Sequence, residues 1–442
     1  MSDLAAADRA RLQDRRAIEA LRAGVPNRDA VRALGAAQPR VEERFREQLS
    51  LAREGAAIRA QTPGLLVAGD FGSGKSHLLE YLQHLALEEH FVCSKVVISK
   101  ETPLHDPARL FRAAVQSAIV PDKKGTALVE IAGGLKVGSP GYTGLAAWVN
   151  SADSGLSSRF AATMFLFGLV NDPEIRERII SFWSGDPLSV SELRGWLRAY
   201  REVATYRLES VPAKELPLQR FRFVPRLMTA AGYAGWVLLV DEVELIGRYS
   251  FMQRARSYSD LARLAGRLEQ EAFPGLTTVF AITSDFAAAV LEQRNDAELI
   301  PARLRSSGLP AEQLLASRAE RGMRLISHEA TPLRPLEPAA IEHTREHVRA
   351  IHARAYRWQP TDLPLGRVDA STRLRTYVRR WINELDLHRL YPGYVAETVV
   401  ADLRVDYTES PALETPTEGS SEAEPKSSTP TGGGARGADP VP

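Results

Sequence analysis

A chain of 442 residues with 44% hydrophobic and 25% charged residues has the composition of an ordinary soluble globular protein, and it is long enough for two or three domains around a large buried core. The formal net charge of +1 gives no whole-chain argument for nucleic acid, a membrane surface or acidic substrates, although an acidic stretch from Glu409 leaves the remainder modestly basic. The single cysteine, Cys93, excludes an intrachain disulfide and fits a reducing, cytoplasmic setting; the charged start has no apolar signal core, and the most apolar window, 160–170, is too short to cross a membrane.

In chain order, Arg9 to Ala60 reads as helical. Ile18, Leu21, Val25, Val31, Leu34, Val41, Phe45 and Leu49 are spaced for one buried face, and Gly24-Val25-Pro26-Asn27 breaks the run in two. This segment, 9–60, is expected to pack on the core that follows, either walling a ligand pocket or simply covering the sheet.

A core domain is expected over 61–330. The apolar run Leu65 to Ala68 leads into Gly69-Asp70-Phe71-Gly72-Ser73-Gly74-Lys75-Ser76, a full match to the phosphate-loop pattern G-x-x-x-x-G-K-[ST]. Glycines let consecutive backbone N–H groups curl around a polyphosphate, and the helix that starts near Lys75 turns its positive end to the anion. Lys75 would reach the outer phosphates of ATP and Ser76 would ligate Mg²⁺, so residues 69–76 with His77 form the expected nucleotide site. The motif stands in its proper context, because Leu78, Leu79, Tyr81, Leu82, Leu85 and Leu87 give the following segment a helical period.

Phe91 to Ser99 is rich in β-branched residues and reads as a buried parallel strand, with a helix from about Asp106 to Ile119. The next stretch, 121–223, reads as a mainly helical insertion. Leu128 to Val137 is expected to be a hairpin turning at Gly133-Gly134, and helices are expected at 160–170, 174–183 and 190–200. Lys123, Lys124 and Lys136 lie near that hairpin, where a solvated loop explains them more simply than phosphate contact.

The second strong signal is Gly235-Trp236-Val237-Leu238-Leu239-Val240-Asp241-Glu242-Val243-Glu244. An apolar strand ending in Asp-Glu is what a phosphate-loop ATPase needs opposite its loop, with Asp241 on Mg²⁺ and Glu242 polarising the attacking water. Thr277 to Asp285 is another buried strand with a polar end. Thr283 or Ser284 is placed there to hydrogen-bond the γ-phosphate or the water, while a helix cap accounts nearly as well for Ser284. Arg303 and Arg305 follow as candidates for a cation that enters a neighbouring subunit's site.

Thr331 to Pro338 looks like an extended connector. Helices at 339–358 and 371–387 then predict a small helical lid within 331–408, in which Arg373, with Arg375 a rival, could fold back onto the phosphates. Residues 394–407 have strand-like character in places. The Pro, Ser, Thr, Gly and Glu of 409–442 predict a disordered acidic tail.

The order of phosphate loop, Asp-Glu strand, Thr/Ser-ended strand, arginine segment and helical lid resembles the AAA+ ATPases, especially their origin-recognition-like branch. More closely, RRAIEALRAGVPNRDAVRALG, LLVAGDFGSGKSHLLEYLQHLAL, FVCSKVVISKETPLHDP, WVLLVDEVELI and STRLRTYVRRWINELDLHRLYP resemble the ATP-binding BrxD proteins of BREX phage-defence systems, over about Arg15 to Tyr407. The resemblance implies an α/β phosphate-loop NTPase fold, with a parallel sheet flanked by helices. It also implies a cytoplasmic bacterial ATPase working with other BREX proteins, on double-stranded DNA directly or through partners, as a homo-oligomer with no membrane association. The Asp-Glu-Val-Glu run departs from the DEAD or DEID of many relatives, which leaves Glu244 without an assigned role. A different class of function, a nucleotide-gated DNA or protein clamp with negligible turnover, also accommodates the loop. No recognition helix or zinc-finger spacing names a DNA-binding element.

Overall fold

The computed structural model describes residues 2–23, 34–58, 60–209, 211–212, 214–334, 338–360, 374–391 and 393. Arg373, the strand-like stretch 394–407 and the tail 409–442 lie outside the described residues.

Five short parallel strands form one sheet: β1 (Leu65–Ala68), β2 (Val92–Val97), β3 (Trp236–Asp241), β4 (Leu276–Ile282) and β5 (Thr331–Pro332), in the order β2-β3-β4-β1-β5. All residues of β3 and β4 are buried, as continuous apolar runs covered on both faces require. The pairings Ala68 with Ile282 and Val97 with Asp241 level the C-terminal ends, so the segments that follow β1, β3 and β4 leave the sheet along a single edge.

One face is covered by α2 (Pro39–Ile58) and α3 (Lys75–Glu88). Val41, Phe45, Leu49 and Ala52 of α2 join Leu78, Leu79 and Leu82 of α3 against Val67, Val237 and Val279. The other face carries a much larger layer inserted between β2 and β3: α4 (Pro107–Gln116), α5 (Ala127–Gly134), α6 (Pro140–Val149), α7 (Ser158–Leu169), α8 (Pro173–Ser184), α9 (Val190–Ala199) and α10 (Leu216–Ala230). Phe160, Trp183, Phe221 and Phe223 lie in the same apolar cluster as Leu66, Val92 and Leu238, so the insertion shares its core with the sheet. The helices expected at 160–170, 174–183 and 190–200 are present as α7, α8 and α9.

The expected hairpin at 128–137 is not formed. Residues 127–134 make α5, which buries Ala127, Leu128, Ile131 and Ala132 on one side. The i, i+1, i+4, i+5 spacing of those four is helical, and the Gly133-Gly134 pair ends the helix where it had suggested a turn.

After β3 come a 3-10 turn (Val243–Arg248), α11 (Phe251–Leu264), and, beyond β4, α12 (Asp296–Ser306) and α13 (Pro310–Arg324). The last described helices, α14 (Pro338–Tyr356) and α15 (Leu374–Leu390), pack with α1 (Ser2–Ala23) around Ile18, Val348, Ile351, Trp381 and Ile382. The segment 9–60 therefore does not act as one unit. Its second half covers the sheet, while Ala17, Ile18 and Leu21 close the cluster of the C-terminal helices. Arg15 donates to the Ala355 carbonyl at 3.0 Å and Arg354 pairs with Asp14 at 2.9 Å, fixing that docking. Periodicity states that a helix has a buried face and does not state which neighbour covers it.

Candidate nucleotide site

The phosphate loop spans the turn from β1 into α3. Gly72 and Gly74 have φ of 82° and 97°, a left-handed region that side chains with a Cβ avoid, so the glycines of the motif are required by the loop's own path. Gly69 is closely packed: a Cβ there would meet the Ser73 hydroxyl at 2.5 Å and a Leu333 methyl at 2.9 Å, so both side chains would have to shift. Helix α3 begins at Lys75 without a side-chain cap, which leaves its first backbone N–H groups to other acceptors. The Ser73 hydroxyl is buried with no hydrogen-bond partner among the described residues. A cradle of backbone donors, an orphaned hydroxyl and a helix N-terminus fit a polyphosphate group.

Lys75 is 7% exposed. Its ammonium donates to the carbonyls of Gly69 at 2.9 Å and Asp70 at 3.3 Å, and stands 3.8 Å from the Glu244 carboxylate. Burial pushes the Glu244 carboxyl up to about 7, Lys75 and a hydrogen bond from the residue's own backbone N–H pull it down, and Glu242 and Asp241 add to the upward push. His77 turns its ring to the Gly35 carbonyl at 2.6 Å, and burial holds that imidazole below its ordinary value. Its ring thus ties α3 to the segment before α2, and what His77 brings to the loop is its place in the first turn of α3.

Asp241 ends β3 and is 3% exposed. Its Oδ1 accepts the Glu242 N–H at 3.0 Å. Glu242 is in the left-handed conformation, with φ of 59°, which costs a non-glycine residue about 1 kcal/mol. That kink turns the chain out of the strand and into the turn carrying Glu244. Thr283, just beyond β4, is 2% exposed, and the hydroxyl of the exposed Ser284 donates to the Asp70 carboxylate of the phosphate loop. Because β4 lies between β1 and β3, Thr283 and Ser284 stand between the loop and the Asp241-Glu242 pair.

The candidate arginines sit elsewhere. Both lie within α12, and both are exposed. Arg303 stacks over the Phe251 ring at 4.6 Å, and Arg305 forms a bidentate pair with Glu320 at 2.6 and 2.7 Å. Within this chain Arg303 therefore touches α11 and Arg305 touches α13. Two links escaped sequence reasoning: the Lys75–Glu244 pair and the Ser284–Asp70 hydrogen bond. The extra acid of Asp-Glu-Val-Glu was the visible sign of the first; the second depends on which strands are neighbours.

Among the described residues, no group of three or more His, Cys, Asp or Glu side chains converges on a metal position, and no helix is long and apolar enough to cross a membrane. One cleft, about 730 Å³, is at the opposite end of β1 from the phosphate loop. It lies beside the start of β1 and is lined by Arg40, Arg44, Gln48 and Arg267, among others.

Comparison with curated proteins and with solved structures gave no match. A family model for the BREX system ATP-binding protein BrxC/D matches residues 10–134 and 214–364, together more than half of the chain. The unmatched stretch between them holds α6 to α9, while α4, α5 and α10 of the same layer fall inside the matched segments. The phosphate loop and the Asp-Glu strand both fall inside the matched segments, and the chain belongs to the BREX system ATP-binding BrxC/D family.

Proposed function

We propose that the protein is a Mg²⁺-dependent, AAA+-like ATPase of a BREX defence system, whose cycle of ATP binding and hydrolysis remodels or signals within a DNA-associated complex. The observation that carries this reading is the insertion of β4 between β1 and β3, which sets the phosphate loop, a Thr-Ser end and an Asp-Glu end along one edge of a parallel sheet. In open α/β sheets that edge takes the ligand.

The division of labour follows from residue chemistry. Lys75 and the backbone N–H groups of 69–77 bind the polyphosphate. Ser76 and Asp241 would hold the cation, a hard-oxygen donor set of the kind that suits Mg²⁺. Bound Mg²⁺ supplies neutralisation of charge on the phosphate oxygens. Glu242, displaced from the strand line by its left-handed backbone, orients the attacking water, and Thr283 or Ser284 hydrogen-bonds that water or the γ-phosphate. Arg303 or Arg305, exposed on α12, serves a neighbouring copy in a homo-oligomer, and Arg373 of the lid acts from the same chain. Other BREX proteins are the natural partners of a member of this family. Double-stranded DNA, met directly or through them, would be held by phosphate contacts, so its affinity should fall steeply with salt.

Steady-state phosphate release from wild type, Lys75→Ala and Glu242→Gln tests the hydrolytic reading. Lys75→Ala should abolish nucleotide binding, and Glu242→Gln should bind ATP while losing turnover by about a hundredfold or more. Equal rates in all three would overturn it. The size of the α4–α10 layer favours, as a second reading, a nucleotide-gated clamp; tight ATP binding with no phosphate release from the wild type would select that reading.

A further inference from the structure

Glu244 has no task in the hydrolytic scheme, yet its surroundings are unusual for a carboxylate. It is 4% exposed, one oxygen faces the Lys75 ammonium at 3.8 Å, and the other oxygen is buried without a hydrogen-bond partner among the described residues. A buried ion pair kept for stability alone has short contacts and a full set of donors, since an orphaned charged oxygen in the interior costs more than a loose pair returns. This pair has neither property.

Lys75 has three N–H groups and meets three acceptors of its own chain: the Gly69 and Asp70 carbonyls and Glu244. Two of these are part of the loop and accompany it. The third is the Glu244 carboxylate on a different segment, the turn that follows Asp241-Glu242. Phosphate oxygens that draw Lys75 outward must therefore compete with Glu244. Once they succeed, they leave that carboxylate near Asp241 and Glu242 with its main source of compensation withdrawn.

We propose that Glu244 is a positioning residue acting through Lys75: it is the internal counter-ion that occupies the lysine when no phosphate is present, and the nucleotide must displace it, so Glu244 sets how tightly nucleotide binds. The inference rests on the nucleotide-binding reading of the loop. It also gives a physical link between the loop and the Asp-Glu turn, because the partner that Lys75 releases is three residues beyond the cation ligand Asp241.

The test is equilibrium binding of a fluorescent ATP analogue to the full chain, with and without Mg²⁺, for wild type, Glu244→Gln and Glu244→Asp. Glutamine keeps the shape and removes both the competition and the repulsion of phosphate, so Kd should fall about three- to tenfold. Aspartate keeps the charge but withdraws it from Lys75 by one methylene, and should lower Kd by about twofold. A role confined to holding the fold together predicts the opposite, weaker binding in both variants together with lower melting temperatures. Should Glu244→Gln not fold, Glu244→Asp reads the same direction. Wild-type binding with unchanged or weakened binding in the variants overturns the counter-ion and leaves the nucleotide site standing. No binding by the wild type overturns the nucleotide reading itself.

Discussion

Ser284 donates its hydroxyl to the Asp70 carboxylate, joining the end of β4 to the second residue of the phosphate loop. Both residues are exposed, so water weakens the bond, but the carboxylate is otherwise at liberty to swing across the mouth of the loop. Ser284→Ala and Asp70→Ala should each change nucleotide affinity by about two- to fivefold, with a coupling on the order of 0.5–1 kcal/mol in the double variant. A double-mutant cycle on nucleotide Kd measures it, and strict additivity would show that the bond does not bear on the loop.

Arg254 of α11 and Asp296 of α12 form a buried bidentate pair, with contacts of 2.8 and 3.1 Å, and Tyr258 donates to the same carboxylate at 3.0 Å. Arg254 also donates to the Tyr249 carbonyl at 2.7 Å, which ties the end of the Asp-Glu turn to the two helices. Asp296→Ala leaves a guanidinium buried without its anion and should cost about 3–5 kcal/mol, read as a lowered denaturant midpoint. Replacing Arg254 and Asp296 together with apolar residues of similar volume should recover most of that loss.

Gly322 lets α13 lie directly against α11, because a Cβ at that position would collide with the Tyr258 carbonyl. Backbone cannot move aside as a flexible side chain can. Gly322→Ala should therefore separate the helices and destabilise by about 1–3 kcal/mol, despite alanine's better helix propensity. An unchanged melting temperature would contradict this close packing.

His105 stacks edge-on against Tyr249, and its Nδ1 is buried without a hydrogen-bond partner among the described residues. Burial pushes the imidazole down to about 4, with Asp106 opposing and Arg256 and Arg109 assisting. The unfolded chain protonates near the ordinary value of 6.5 and the folded chain only near 4, so stability should fall as pH drops from 6.5 towards 4 and then level off. Thermal melts across that range should show a shallower fall in His105→Phe than in wild type. An identical pH profile would remove His105 as the source.

Most of the candidate site was legible from order alone. Residues 69–76 and Asp241-Glu242 carry patterns in which each position has a chemical reason, and the strands before them are apolar runs that only a covered parallel sheet accommodates. The Gly133-Gly134 pair misled because glycines punctuate hairpins and helix ends alike, and the pattern of Leu128 and Ile131 had to decide between them. Arg303 and Arg305 are candidates by place alone, and their contacts with Phe251 and Glu320 could not be read from a chain so rich in arginine.

Local chemistry in the chain was enough to specify a phosphate loop, an Asp-Glu strand and the helical character of most of what surrounds them, because spacing and residue type act over a few residues. Partnership was settled only by packing. Helix α1 left the sheet for α14 and α15, β4 entered between β1 and β3, and Glu244 came to rest against Lys75 although some 170 residues of chain separate them. Each of these joins depends on which buried surfaces meet, and a single residue's period carries no information about the surface on the other side.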